Sequence, residues 1–311
     1  MCGIAGIIYR DGADHDVGRD VTRMLQAMKH RGPDSTGYAL YHPSQNGDVI
    51  LRYKLADAND ARDAEFEARL ARHQREVERR LRAAGAEIEE LGADTDYARR
   101  ARVRYDGDLK ELTDYVEDIP GCEVLSLGRT LEIVKDLGDA ETVSRQYGLD
   151  GHRGTHGIGH VRMATESDVD ISGAHPYWAY PFPDVAVVHN GQLTNYFQWR
   201  RRLERSGHRF QSECDSEIIA VYIAERLAAG ASLEEAMRQS LDDLDGVFTY
   251  ICVTDDALGV AKDEMAAKPL VLYEGDDLVA LASEEIAIRA IRPEEIETCD
   301  PYEREVLVWQ R

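Results

Sequence analysis

The sequence predicts an α+β protein built on two stacked β-sheets with helices outside them, and three observations predict it. Short apolar runs suited to buried strands dominate both ends of the chain. Segments whose apolar residues recur at helical spacing lie between those ends. No stretch rich in Pro or Ser, internal repeat or low-complexity tract separates the parts. Each sheet and helix then has an apolar face that must be buried against a neighbouring layer.

The order opens with a buried strand over residues 4–9 (IAGIIY). Residues 17–30 carry Val21, Met24, Leu25 and Met28 at helical spacing and are stopped by Gly32 and Pro33. A second strand is predicted over 36–41 (TGYALY). From about 55 to 148 the character changes, and this stretch reads as an inserted α+β subdomain. Its residues 61–84 form a long helix candidate rich in Glu and Arg, whose charges mark a solvated face. Strand-like AEIEEL and ARRARVRY, a helix DLKELTDYV and a strand CEVLSLGRTLEIV follow. With a strand near 49–55 in front, that is the order of a split βαβ sandwich.

After the insertion, GIGHVRMAT and DVAVVHNG read as strands, 192–206 as a helix closed by Gly207, and 215–229 as a helix with Asp215 at its start. Ser232 and Glu235 form a capping box for a helix bearing Leu233, Met237 and Leu241. VFTYICVT, LGVAK, PLVLYE and LVALAS then read as antiparallel strands joined by acidic turns such as Glu274 to Asp277.

Composition narrows the function. Thirty-seven Lys and Arg against 59 Asp and Glu give a net charge of −22 over 311 residues. That balance argues against nucleic acid and anionic membrane surfaces, which are bound by clustered Lys and Arg. No apolar run approaches the ~18 to 20 residues of a spanning helix. Five cysteines (2, 122, 214, 252 and 299) lack CxxC spacing, so neither a disulfide framework nor a zinc ribbon is expected and the compartment is a reducing one. Nothing after Met1 has the pattern of a signal peptide, and a cytoplasmic location is expected. No Gly-rich phosphate cradle and no cysteine cluster is present, so the chain is expected to hold no cofactor of its own.

Cys2 is the sharpest chemical feature. Removal of Met1 would place a thiol and a free α-amino group on one residue. Thiols ordinarily ionise near ~8.5 and α-amino groups near ~7.7 to 8.0, so such an amine can take the thiol proton at little cost. The same residue also reads as a small hydrophobe in a buried first strand. His152, His156 and His160 recur every four residues, but Gly151, Gly154, Gly157 and Gly159 make a shared helical face improbable. A glycine-rich hinge leaving the insertion is the better reading there. Cys214 lacks the α-amino base of Cys2 and reads as structural.

The ordered set MCGIAGI, HRGPDS (30–35), GHVRMATES (159–167), AHPY (174–177), VVHNGQLTN (187–195) and ECDSE (213–217) resembles the class II glutamine amidotransferases, which are N-terminal nucleophile hydrolases. The likeness covers essentially all of the chain outside the insertion. It implies a four-layer αββα fold and L-glutamine as substrate. Cys2 would attack the side-chain amide to form a γ-glutamyl thioester and release ammonia. The Asn190 side chain and the Gly191 backbone N–H would hold the oxyanion, although spacing alone reads Asn190-Gly191 as a hairpin turn. Arg162 would bind the substrate carboxylate and Asp215 its ammonium, while Asp215 also reads as a helix N-cap. Thr165 and His175 would line the pocket. Arg31, Gly32 and Asp34 would form a supporting loop, with Gly32 allowing close backbone approach.

Met163, where many members carry Trp or Tyr after the motif arginine, and the RMATES form resemble a narrower group. These are the stand-alone amidotransferase subunits of glutamate-synthase-like and N-methylglutamate-synthase-like complexes. The recognised core reaches about residue 285 or beyond, so no fused synthetase, isomerase or phosphoribosyltransferase module is expected and ammonia is expected to pass to a separate partner. By resemblance that partner carries a flavin and an iron–sulfur centre. Two rivals stand beside this reading: an autonomous amide hydrolase of the same fold, and a catalytically silent regulatory subunit that keeps Met1.

Overall fold

The structure is a computed structural model that describes residues 2–43, 47–56, 65–163, 171 and 173–311. In chain order these form β1 (Gly3–Tyr9), α1 (Val17–Ala27), β2 (Ser35–Tyr41), β3 (Asp48–Lys54), α2 (Phe66–Ala83), β4 (Glu87–Ala93), β5 (Ala98–Arg104), α3 (Leu109–Glu117) and β6 (Glu123–Gly128). Next come β7 (Leu131–Leu137), α4 (Ala140–Tyr147), β8 (His156–Arg162), β9 (Tyr177–Trp178), β10 (Ala186–Leu193), α5 (Tyr196–Arg205) and α6 (Asp215–Ala228). The chain closes with α7 (Leu233–Asp243), β11 (Gly246–Val253), β12 (Ala257–Lys262), β13 (Val271–Glu274), β14 (Leu278–Ala282), α8 (Glu285–Arg289) and β15 (Val306–Gln310).

Two antiparallel sheets carry the architecture: one of six strands ordered β13-β14-β1-β8-β2-β7, and one of five ordered β15-β12-β11-β10-β9. They face each other through fully buried Ile4, Ile8, Ile158, Val188, Ile251 and Leu281. Helices α1, α4 and α8 cover the outer face of the larger sheet, and α5, α6 and α7 cover that of the smaller one. The result is the four-layer αββα arrangement, with a dry sheet-on-sheet core that holds β1 and β10 against each other.

Glycines set how closely α1 approaches. A Cβ on Gly159 would stand 2.5 Å from Leu25 Cδ1, and one on Gly157 3.1 Å from Val17 Cγ1. Both lie inside the central strand β8, so the hinge expected from the glycines of 151–159 is confined to the residues before it. Ser232 and Glu235 make the reciprocal bonds of the capping box on α7. The predicted helix over 192–206 begins later, because Gln192 and Leu193 still pair with β11.

The insertion differs from its expected bounds of 55–148. A third sheet, ordered β4-β5-β3-β6 and antiparallel throughout, is built from residues 48–128, with α2 and α3 between its strands. That strand order is the split βαβ sandwich. The run 122–134 is two strands rather than one, and β7 and α4 belong to the αββα core. The cause is Asp184, more than fifty residues away in sequence. Its carboxylate accepts the backbone N–H groups of Arg129 (3.2 Å), Thr130 (2.8 Å) and Leu131 (2.9 Å) and the Thr130 hydroxyl (3.1 Å), which bends the chain between β6 and β7.

The subdomain is tied to the core by Glu132 of β7, whose carboxylate accepts from Arg52 Nε (2.8 Å) and Arg100 Nε (2.9 Å) of the third sheet. Burial alone would raise that carboxyl, but the two guanidiniums hold it well below the usual carboxylate range. On α2, Phe66, Leu70, Val77 and Leu81 are buried while the Glu and Arg side chains pair along the exposed face.

Candidate active site

A cavity of about 670 Å³ opens where the N-terminus of β1, the C-terminus of β8, the middle of β10 and the start of α6 converge. Cys2, Arg162, His175, Asn190, Gly191 and Asp215 all line it. Residues 164–170, and with them Thr165, lie outside the described residues.

The register explains the convergence. Gly3 pairs with Val161, so Cys2 is carried to the end of β8 beside Arg162 and Met163. The Met163 N–H donates to Cys2 Sγ at 3.4 Å. The Cys2 carbonyl accepts from Arg31 Nε at 2.9 Å and from Asn190 Nδ2 at 3.4 Å. Asn190 Nδ2 also reaches Ser283 Oγ at 3.3 Å, and that hydroxyl accepts the Ile4 N–H at 3.0 Å. Arg31 is anchored in turn by Glu284, 2.5 Å from Nη1. One cage of Arg31, Asn190, Ser283 and Glu284 therefore fixes the first residues of β1.

Gly32 and Gly191 are required by close approach. A Cβ on Gly32 would stand 2.4 Å from the carbonyl carbon of Arg162. Asp34, two residues on, donates its N–H to the Arg162 carbonyl at 3.1 Å, so the loop 31–34 braces the arginine strand from behind. Gly191 has φ of 141°, and a Cβ there would lie 2.1 Å from the Val247 carbonyl oxygen. Asn190 and Gly191 pair with Thr249 and Phe248 inside β10, so the hairpin-turn reading is not realised.

Asp215 is the first residue of α6, and Cys214, whose side chain makes no cap bond, holds the N-cap position. The N-cap reading of Asp215 is thus replaced by a bond to the end of β10, where its Oδ2 accepts the Leu193 N–H at 2.7 Å. Cys214 Sγ lies 3.4 Å from Ser216 Oγ, and burial pushes its thiol up.

Sequence reasoning named His175 as a lining residue but missed the imidazole cluster it forms with His160 and His189 in the same cavity. His160, His175 and His189 are buried, with the first two rings 4.1 Å apart. His175 Nε2 and His189 Nδ1 both lie 2.7 Å from Ser216 Oγ. That hydroxyl has one proton, which goes to one imidazole or to Asp215 Oδ1 at 3.4 Å, so at least one of the two rings donates to it. Burial lowers all three, His160 to about 3, which keeps the cluster neutral in a cavity that Arg162 and Asp215 also line. The three histidines of 152–160 part company: His152 packs near His42, His156 stacks on Tyr41 and His160 joins the cavity.

The outer wall is the loop from Phe210 to Cys214, also unforeseen. Buried Glu217 holds it, accepting the N–H groups of Gln211 (2.7 Å) and Ser212 (2.8 Å) and the Ser212 hydroxyl (2.6 Å). Arg200 of α5 donates to the Ser212 carbonyl at 2.7 Å.

Comparison with known proteins gives a consistent picture. Residues 160–290 match the family described as glutamine amidotransferase domain. A putative glutamine amidotransferase of Methanothermobacter thermautotrophicus is 39% identical over 308 residues, covering 97% of this chain and 98% of that protein. The glutamine amidotransferase-like protein GlxB of Rhizobium meliloti is 33% identical over 285 residues, covering 91% of this chain and 89% of its own. Among solved structures, the glutamine phosphoribosylpyrophosphate amidotransferase of B. subtilis superposes with a TM-score of 0.60 at 18% identity. That likeness concerns the fold; it covers 98% of this chain and 46% of the longer one.

Proposed function

The chain belongs to the class II glutamine amidotransferases, and from that premise we propose that it hydrolyses L-glutamine at Cys2 and passes the ammonia to a separate synthase of the glutamate-synthase-like kind. The observation that carries the reading is the single cavity that holds a thiol, an amide donor, a guanidinium and a carboxylate.

Once Met1 is removed, the α-amine of Cys2 takes the thiol proton and the sulfur attacks the side-chain amide carbon of glutamine. The Met163 N–H at 3.4 Å favours negative charge on that sulfur. As the carbonyl bond opens, the oxyanion is received by Asn190 Nδ2 and the Gly191 N–H, donors of a kind that contribute about 3 to 4 kcal/mol each. The protonated amine then delivers its proton to the leaving nitrogen. Water, activated by the same amine, cleaves the γ-glutamyl thioester and regenerates the thiol.

Arg162 pairs with the substrate α-carboxylate and Asp215 with its α-ammonium. Arg31, Gly32 and Asp34 serve as support: Arg31 fixes the Cys2 carbonyl, and the other two brace the Arg162 backbone. His175 and Thr165 line the pocket. The partner is inferred from the RMATES form of the arginine motif, and its flavin and iron–sulfur centre would belong to it, not to this chain.

The experiment is glutaminase assay of the purified chain with its N-terminus read by intact mass. A chain starting at Cys2 that releases ammonia from glutamine in preference to asparagine, and a Cys2→Ala variant that folds but releases none, support the proposal. Retained Met1 without activity, or appreciable turnover by Cys2→Ala, overturns it. Co-purification of a flavin-bearing, iron–sulfur synthase from the native source tests the partner.

A further inference from the structure

We propose that the inserted subdomain holds the wall of the glutamine cavity through Glu117, which acts as a positioning residue for substrate binding. The substrate in this inference rests on the proposed glutaminase reading; the mechanical coupling rests on geometry alone.

Glu117 ends α3 of the insertion, and its side chain is only 10% exposed. Its Oε1 accepts the Val124 N–H of β6 at 3.1 Å, which locks it to its own subdomain. The same oxygen accepts Gln211 Nε2 at 2.6 Å, and Oε2 pairs with Arg209. Gln211 Nε2 also reaches the Val124 carbonyl at 3.2 Å. A side chain of the loop that walls the cavity, Gln211, and Arg209 just before that loop are therefore bonded to one corner of the insertion, more than ninety residues away in sequence.

A second carboxylate repeats the pattern. Asp114, one helical turn earlier, lies 3.0 Å from the Arg209 guanidinium and accepts the Tyr180 hydroxyl, while that guanidinium lies 4.2 Å above the Tyr180 ring. From the core side the loop is held by Glu217 through backbone groups of Gln211 and Ser212. Gln211 is thus gripped at both ends, its backbone by the core and its side chain by the insertion. Removing the outer grip frees the cavity wall without touching Cys2, Arg162 or Asn190.

The test compares Glu117→Ala and Arg209→Ala with the wild type by steady-state glutamine hydrolysis and by hydrogen–deuterium exchange. Arg209 lies outside the insertion, so that variant stands in should Glu117→Ala fail to fold. The expected result is a KM for glutamine raised about tenfold with kcat within twofold. Amide exchange over residues 209–214 rises at least tenfold, while the buried turns of α6 stay protected. A merely structural role would lower the active fraction, and hence apparent kcat, with KM unmoved. Unchanged exchange of the loop in the folded variants, or an unchanged KM, overturns the proposal. A wild type that hydrolyses no glutamine refutes the function proposed above, and the exchange result then decides the coupling by itself.

Discussion

His156 offers a quantitative test of how the sandwich core was read. It is fully buried in β8, where Nε2 lies 2.7 Å from the Thr254 carbonyl and Nδ1 lies 2.8 Å from the Thr155 hydroxyl. A carbonyl can only accept, so Nε2 carries the proton and Nδ1 accepts from Thr155. Charging the ring means placing a cation in the dry layer between the sheets, and burial lowers its pKa from 6.5 to about 4, against the opposing pull of the Thr254 carbonyl. A lowered histidine pKa leaves stability intact above the unfolded value and removes it as pH falls, because only the unfolded chain then takes up the proton. At pH 5 the unfolded residue lies 1.5 units below its ordinary pKa, so the loss is about 2 kcal/mol relative to pH 7.5. Other groups titrate in the same window, so the clean observable is a difference of differences. His156→Gln, which keeps an amide donor for Thr254 and does not titrate, should show a pH 7.5-to-5 drop in urea-measured unfolding free energy about 2 kcal/mol smaller than wild type. Equal drops in the two proteins would refute the assignment of a neutral, proton-excluding His156.

Three further outcomes follow from the site and its supports. Asn190→Ala should lower kcat by roughly 10²- to 10³-fold with KM little changed, as for loss of one oxyanion donor; a change confined to KM would move Asn190 to substrate binding. Gly32→Ala places a Cβ 2.4 Å from the Arg162 carbonyl carbon and should raise KM for glutamine at least tenfold, measured by initial rates; a wild-type KM would uncouple that loop from the arginine. Asp184→Asn turns one acceptor oxygen into a donor facing the Arg129 N–H and should cost about 2 kcal/mol in urea denaturation; an unaffected midpoint would show that the bend between β6 and β7 does not need the carboxylate.

Much of the fold was legible because its signals are local. The buried first strand, the capping box of Ser232 and Glu235 and the split βαβ order of the insertion all rest on short-range patterns. The boundary of the insertion was not legible, since the turn that returns the chain to the core is made by Asp184 rather than by any turn residue near 129. Helix α4 had local signs, an Asp139 cap bonded to the Thr142 N–H at 2.9 Å and Gly148 at φ 65°, but they were absorbed into the insertion. At the site, the individual motifs contained Cys2, Arg162, His175, Asn190, Gly191 and Asp215, which share one cavity. Their cage was hidden because Ser283 and Glu284 reach Cys2 only through the pairing of β14 with β1. The cavity wall was hidden for the same reason, its anchors Glu117 and Glu217 lying on different layers.

The most direct measurement is mass spectrometry of the chain quenched in acid during steady-state turnover of glutamine. A γ-glutamyl group on the thiol of a chain that begins at Cys2, absent from the Cys2→Ala protein, is the expected result. A label on Cys214 or elsewhere, or no covalent adduct in a chain that still turns glutamine over, would contradict a nucleophile at residue 2.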